Sequence, residues 1–330
     1  MAAPPATRLP PEFDRIARHF APLAGPAGLG LTDDAALLEP PAGRALVLTV
    51  DAMVAGVHYL PDDPPDLVAR KLLRVNLSDL AAKGAVPLGY LLTVSVPVDT
   101  PDDWFARFAA GLAADQAAYG LALLGGDTTG TPGAATLTAT LIGHVAPGGM
   151  VRRGGAVAGD LIVVTGTIGD GALGLAAARG QVPDPDGFLA GRYRLPTPRL
   201  GLIAPDVAHA ALDVSDGLVQ DLGHLCRASG VSAEIDAGAV PASAAAFGVG
   251  GQGDRTAWLA TRLTGGDDYE IVMAVPPGRL AALRARAGAL GIPVTPIGVC
   301  RPPGPGEPPG VTVLHDGAAL TLGPGGWSHF

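Results

Sequence analysis

Six short acidic clusters, each set among small residues, carry the chemistry open to this chain. They read Thr32-Asp33-Asp34-Ala35, Thr49-Val50-Asp51, Asn76-Leu77-Ser78-Asp79, Gly125-Gly126-Asp127-Thr128-Thr129, Asp213-Val214-Ser215-Asp216-Gly217 and Gly265-Gly266-Asp267-Asp268-Tyr269-Glu270. Only 16% of the 330 residues are charged, so carboxylates beside Gly, Ser and Thr in apolar segments are costly to bury without cations. Hard oxygen donors of this kind suit Mg²⁺, and Mg²⁺ in such quantity points to phosphate chemistry.

Each cluster also has an ordinary structural reading. Gly125-Gly126-Asp127 follows a predicted strand. Its adjacent glycines either let backbone N–H groups approach a phosphate whose Mg²⁺ Asp127 holds, or form a β-turn. Asp213-Val214-Ser215-Asp216-Gly217 ends an apolar run and opens a helix. Ser215 or Asp216 can cap that helix, which still leaves the Asp213 charge in need of a partner. Asp33-Asp34 on its own reads as a turn. Asn76, Asp79 and Lys83 fall at i, i+3 and i+7 of one helix and share a direction, and Asn76 with Asp79 also reads as a satisfied polar patch.

Other constellations are excluded by their surroundings. Gly169-Asp170-Gly171-Ala172-Leu173-Gly174 matches G-x-G-x-x-G after a strand, but no acid ends a second strand about 20 residues on, as a dinucleotide site requires. A tight turn with close helix–strand packing asks for the same glycines. Lys71 and Lys83 are the only lysines, and neither follows a P-loop. His58 has no second histidine at zinc spacing, and no G-x-S-x-G elbow occurs. Trp327 near the C-terminus reads as an anchor or as an aromatic lid over a ligand.

The elements that must position these residues follow from periodicity and punctuation. A helix is expected over Glu12 to Phe20, a strand over Leu46 to Val50, and a long helix from Pro64-Pro65 to about Lys83 with Gly84 as its stop. A strand (88–96), a helix from Asp102 to near Gly120, and strands at 121–124 and 135–145 complete a β-α-β-α-β first half. The second half restarts with a strand at 160–165 and a helix through Ala178. It continues with a helix from Gly217 to Ser229 and strands near 233–235, 271–275, 294–299 and 311–314. Residues 237–254 carry no clear pattern. Residues 1–11 are expected to be disordered, 12–147 to form an N-terminal domain and 148–330 a C-terminal one.

A net charge of −9 argues against a broad nucleic-acid surface. No run approaches the roughly 18 apolar residues of a membrane span, and no signal-peptide pattern opens the chain. Cys226 and Cys300 make no CxxC, which suits a reducing cytoplasm.

Taken in order, the motifs resemble those of the thiamine-monophosphate kinase family, within the aminoimidazole-ribonucleotide-synthetase-like ATP-binding superfamily. The resemblance covers about residues 12 to 330. It is carried by Val75 to Ala82, Leu124 to Thr129, Arg194-Leu195-Pro196-Thr197-Pro198-Arg199, Asp213 to Leu218, Asp221-Leu222-Gly223-His224 and Gly265 to Glu270. It implies a two-domain α/β (α+β) fold, with the N-terminal sheet pairing across a homodimer and a C-terminal α/β domain. It also implies ATP-dependent phosphorylation of thiamine monophosphate to thiamine diphosphate, by direct in-line transfer.

By the same resemblance Asp34, Asp51, Asp79, Asp127, Asp213 and Asp216 would hold several Mg²⁺ ions, with Thr49 and the Val50 carbonyl as auxiliary ligands. Gly126, Asp127, Arg153 and Ser215 would contact ATP. His58, Asp267 and Trp327 would line the thiamine-phosphate pocket. Asp267 stands where the family usually has Glu, and Val50 where Thr is common. Other readings are another ATP-using member of the superfamily, or a non-catalytic nucleotide or Mg²⁺ sensor. The absence of an N-terminal reactive Cys and of a C-terminal Cys sets the chain apart from the selenophosphate-synthetase and hydrogenase-maturation relatives.

Overall fold

A computed structural model describes residues 11–250, 254–323 and 326. The chain forms two compact units. One takes Leu48–Asn76, Pro87–His144 and the chain up to Ala42; the other takes Gly43–Val47, Leu77–Val86 and the chain from Val145 on.

The first half of the chain contains α1 (Pro11–Arg15), β1 (Ala45–Val54), α2 (Pro65–Ala82), β2 (Val86–Pro97), α3 (Asp102–Tyr119), β3 (Leu123–Thr131) and β4 (Thr136–Val145). Its four strands run in the order β1-β4-β2-β3, which leaves β1 on an edge. Helix α2 starts at its prolines and stops before Gly84, whose φ of +71° a side chain would resist. Helix α3 buries Phe105, Phe108 and Leu112 completely, and Trp104 stacks on Phe108 with centroids 4.8 Å apart. Gly111 lets α3 approach closely, since a Cβ there would overlap the Asp66 backbone. The fully buried Asp115 is held by Arg70 Nε at 2.9 Å and Arg74 Nε at 2.6 Å. Leaving that carboxylate unpaired would be expensive.

The sequence places the end of a strand at Leu124, but β3 runs on to Thr131 and β1 runs on to Val54. Gly125, Gly126 and Asp127 are therefore paired strand residues, facing Leu91, Leu92 and Thr93 of β2 in parallel register. The β-turn reading of this cluster is overturned. Its glycines serve close strand approach, because a Cβ on Gly126 would sit on the Leu92 carbonyl.

The second unit contains β5 (Leu161–Thr165), α4 (Asp170–Ala178), α5 (Phe188–Arg194), β6 (Ala210–Asp213), α6 (Leu218–Ser229) and β7 (Ser232–Asp236). These are followed by α7 (Ala244–Gly250), α8 (Arg255–Thr264), β8 (Ile271–Val275), α9 (Leu280–Ala289), β9 (Val294–Arg301), β10 (Val311–His315) and β11 (Ala318–Ala319). Seven strands form one sheet in the order β11-β10-β7-β9-β5-β8-β6. The central strands pair antiparallel, whereas β10 lies parallel to β7.

Both faces of this sheet are covered. Ile162, Val164, Leu212 and Val272 pack with Leu222, Leu225 and Leu259 of α6 and α8. Val163, Ala211, Ile271 and Met273 pack on the other side with Leu283 and Ala287 of α9. Period-two alternation thus sends successive residues into two cores, which is why β5 and β8 read as unbroken apolar runs. Helices α5, α7, α8 and α9 were not expected from the sequence.

Candidate functional site

In the first unit one cavity, of about 190 Å³, brings three of the clusters' carboxylates into one space. Asp33 and Asp34 line it from one loop, and Asp127 lines it from β3 beside Gly125 and Gly126. Phe20, Leu92, Leu123 and Leu124 supply an apolar wall. A wall of that kind facing a carboxylate rim suits a ligand with a flat apolar part and a metal-chelating polyanion. Gly28 is a cradle residue in this wall, since a Cβ there would lie 2.9 Å from the Leu123 carbonyl oxygen.

Thr49, Asp51 and His58 are outside that cavity's lining. Thr49 and Asp51 are half-buried and share one face of β1 with the buried Val47 and Met53. Val50 points to the opposite face with Leu46 and Leu48, and all three are exposed. Only the Val50 backbone remains a possible ligand. The Val54 N–H donates to His58 Nδ1 at 3.0 Å, so that nitrogen is an acceptor and the neutral ring carries its proton on Nε2. Lys71 Nζ donates to the His58 carbonyl at 3.0 Å, fixing the turn that carries the ring.

In the second unit Asp79, Asp213 and Arg153 gather around Lys83. Its Nζ donates to the Ala211 carbonyl at 2.8 Å. Burial pushes the Lys83 ammonium below its ordinary pKa, the Asp213 and Asp79 charges pull it back up, and Arg153 lowers it further. Arg153 and Asp216 both act on His224, whose pKa is lowered chiefly by burial and by Arg227. Four of the expected residues, Asp79, Arg153, Asp213 and Asp216, thus share one charged neighbourhood.

The loop Asp213–Gly217 has its own internal anion. One oxygen of Asp221, Oδ2, accepts the backbone N–H groups of Ser215 (3.0 Å), Asp216 (3.0 Å) and Gly217 (3.2 Å). Burial pushes the Asp221 carboxyl up to about 7, while these three donors oppose the rise. Gln220 Nε2 donates to Asp216 Oδ2 at 3.2 Å. The N-cap expected of Ser215 or Asp216 is absent among the described contacts: Gly217 occupies the cap position of α6 with no side-chain cap.

The last cluster is laced to this loop. Asp267 N–H donates to the Ser215 carbonyl (2.9 Å), Tyr269 N–H to the Val214 carbonyl (2.8 Å), and Val214 N–H to the Glu270 carbonyl (2.8 Å). Asp268 and Glu270 are fully buried. Glu270 receives Arg199 Nε at 2.7 Å, Arg192 Nη2 at 2.9 Å and Thr165 Oγ1 at 2.6 Å. Between these anchors Asp267 and Tyr269 adopt φ of +70° and +51°, a region that side chains other than those of Asn, Asp and Gly enter at some strain.

Asp268 also resolves the G-x-G-x-x-G segment. Its two oxygens accept the N–H groups of Gly169 (2.7 Å) and Gly171 (2.9 Å). A Cβ on Gly171 would overlap the Asp267 backbone, and one on Gly174 the Leu189 carbonyl. The amides that would bind a dinucleotide's pyrophosphate already hold the Asp268 carboxyl group, so these glycines are packing residues.

Trp327 lies outside the described residues. Sequence reasoning passed over Lys83 as part of the site and assigned no role to Asp221, Arg192 or Arg199, although the last three lie in or beside segments that carried the resemblance. Among the described residues no three Asp, Glu, His or Cys side chains close around one ion. Such spacing still fits Mg²⁺, which keeps several waters and takes one or two carboxylates together with substrate phosphates rather than an all-protein cage.

Comparison with known proteins identifies the family. The family described as AIR synthase related protein, N-terminal domain, matches residues 32–145, and its C-terminal domain matches residues 157–304. The chain is 45% identical to a thiamine-monophosphate kinase of Caulobacter vibrioides, over 99% of this chain and 93% of that protein. The thiamine-monophosphate kinase structure from Stenotrophomonas maltophilia K279a superposes with a TM-score of 0.78 at 37% identity, covering 93% of this chain and 95% of that one. The structure of AaThiL complexed with AMPPCP and TMP superposes at 0.76 with 30% identity, covering 90% and 91%. With two family domains in order and this identity along nearly its whole length, the chain belongs to the AIR synthase related family and, within it, to the thiamine-monophosphate kinases.

Proposed function

We propose that the chain transfers the terminal phosphoryl group of ATP to the phosphate of thiamine monophosphate, giving thiamine diphosphate and ADP in a direct in-line step. The observation that carries this reading is the full-length likeness to thiamine-monophosphate kinases, one of whose solved relatives holds AMPPCP and TMP.

The acceptor is a phosphate monoester, largely dianionic near neutrality because its second pKa is about 6. It needs no general base, and none is assigned. What the chain must overcome is repulsion between two polyanions. When bound, Mg²⁺ neutralises that charge and stabilises the charge in transfer. Asp34, Asp51, Asp79, Asp127, Asp213 and Asp216, with Thr49 and the Val50 carbonyl, are the residues that would hold it. Gly126, Asp127, Arg153 and Ser215 are assigned to ATP, the last through its hydroxyl because its N–H is engaged by Asp221. His58, with its proton on Nε2, and Asp267 are assigned to the acceptor together with Trp327.

The working assembly is proposed to be a homodimer built on β1. Supporting it are the edge position of β1 and the outward side chains of Leu46, Leu48 and Val50, at 41%, 61% and 58% exposure. A cytoplasmic setting agrees with two buried free cysteines. Among the described residues no helix is long and apolar enough to cross a membrane.

A coupled ADP-release assay across thiamine, thiamine monophosphate and an aminoimidazole ribonucleotide precursor, with and without Mg²⁺, tests the function. ADP release that requires both thiamine monophosphate and Mg²⁺ is the expected result. Release driven by the aminoimidazole compound, or by none of the three, would overturn it. A phosphorylated residue turning over at a competent rate would overturn the direct transfer.

A further inference from the structure

We propose that Asp221 is a positioning residue for the cation-holding loop, its single oxygen Oδ2 fixing three successive backbone N–H groups so that Asp213 and Asp216 are presented at a set spacing. The proposal rests on the Mg²⁺ role assigned above to those two residues.

Successive N–H groups turned to one side form a concave nest that attracts anions, phosphate among them. In the loop Asp213–Gly217 the anion is supplied by the chain itself, at 3.0, 3.0 and 3.2 Å from the amides of Ser215, Asp216 and Gly217. Asp221 is 4% exposed, and its own N–H returns to the Gly217 carbonyl at 3.0 Å. The loop and the first turn of α6 therefore close on each other. Gly217 permits the closure, with φ of +122° and space for no Cβ beside the Thr264 carbonyl.

Two chemical consequences follow. The loop has used the backbone donors of Ser215, Asp216 and Gly217 and cannot cradle a phosphate with them, so beyond the Ser215 hydroxyl it offers acceptors, which is what a hard cation takes. The backbone of Asp216 is held by Asp221 while its side chain is oriented by Gln220. Supporting groups of this kind typically govern metal affinity by about 10–100-fold. Asn at position 221 can present one carbonyl oxygen to the same three N–H groups, whereas Ala cannot.

Mn²⁺ titration of the full-length protein without nucleotide, read by electron paramagnetic resonance, separates the cases for Asp221→Ala, Asp221→Asn and Asp216→Asn. Asp216→Asn and Asp221→Ala are expected to weaken Mn²⁺ binding by about 10-fold or more, and Asp221→Asn by less than about threefold. At saturating Mg²⁺ the KM for thiamine monophosphate should stay near wild type in both Asp221 variants. Unchanged binding in Asp216→Asn overturns the metal reading and the positioning role with it. Weakened binding in Asp216→Asn with unchanged binding in Asp221→Ala overturns the positioning role alone. Equal weakening by Ala and Asn assigns the effect to charge rather than geometry and also overturns it. If Asp221→Ala does not fold, the Asn variant decides alone: near-wild-type affinity supports the proposal, and a loss of about 10-fold or more overturns it.

Discussion

In Gly125-Gly126-Asp127 the glycines lie within a paired strand and the carboxylate borders a cavity. In Gly169 to Gly174 the amides are filled by the buried Asp268 and the glycines press against neighbouring backbone. The two segments look alike in sequence, and the second matches a well-known fingerprint more closely. What separates them is the occupant of the space beside the glycines. Where the chain supplies its own carboxylate, the segment is architecture; where the space opens on a cavity, the segment is available to a ligand. The Asp213–Gly217 loop follows the second case at its backbone, with its amides plugged by Asp221.

The contrast can be broken most sharply at Asp127. Asp127→Asn should keep the thermal transition of the parent and lower turnover on the order of 10²–10³-fold. Near-normal turnover at limiting Mg²⁺ would remove Asp127 from the site. A paired glycine test comes next. Gly171→Ala forces a methyl into the Asp267 backbone and should destabilise by about 1–3 kcal/mol, with the KM for ATP unchanged in the folded protein. Gly125→Ala meets only Leu91 Cδ2, at 3.5 Å, an ordinary contact, and should change stability by less than about 1 kcal/mol. Calorimetry on the two variants checks the ranking, and a raised KM for ATP in Gly171→Ala would return that segment to nucleotide binding.

The smallest effect concerns pH. Burial pushes the Asp268 carboxyl up to about 8, only partly offset by the Gly171 and Gly169 N–H groups. Between an ordinary carboxylate pKa of about 3.9 and this value, the folded chain holds a proton that the unfolded chain releases. The unfolded state then binds fewer protons, so this group's contribution to stability falls as pH rises from about 4 to about 8. Thermal transitions measured across that range should show a shallower decline in Asp268→Asn than in the parent. An unaltered slope would mean the carboxyl is ionised throughout.

Much of the architecture was legible because burial follows simple periods. Strand β8 was expected at 271–275 and is found there, since five apolar residues between Glu270 and Pro276 leave little choice. Helix α2 begins and ends at its proline and glycine signals. Helix α8 was missed although Asp254 caps it and Trp258, Leu259, Arg262 and Leu263 form its buried stripe. A buried arginine, held by the carbonyls of Ile168, Val240 and Pro241, broke the apolar pattern. Helix α9 buries only Leu283 and Ala287 and offers almost no pattern. The extension of β3 through Gly125-Gly126 was hidden because glycine weakens any strand signal.

At the candidate site, the acidic residues stand out by type, but the residues that support them do not. Asp221, Asp268 and Glu270 act through backbone amides or arginines brought near by the fold, and no spacing rule encodes that. Lys83 sat on the recognised polar stripe, yet its position beside Asp213 depends on how α2 meets β6 within the second unit.

A Cβ on Gly166 would fall on the carboxylate of Glu270, which itself answers two arginines and a threonine. For anyone varying the last acidic cluster, positions 165, 166, 192, 199 and 270 are therefore one unit of inheritance. A library that randomises Glu270 alone will return mostly failures, because no single replacement satisfies all its partners. Substitutions that reshape the region should arrive in sets, with Gly166 released only after the carboxylate beside it has been exchanged for something smaller.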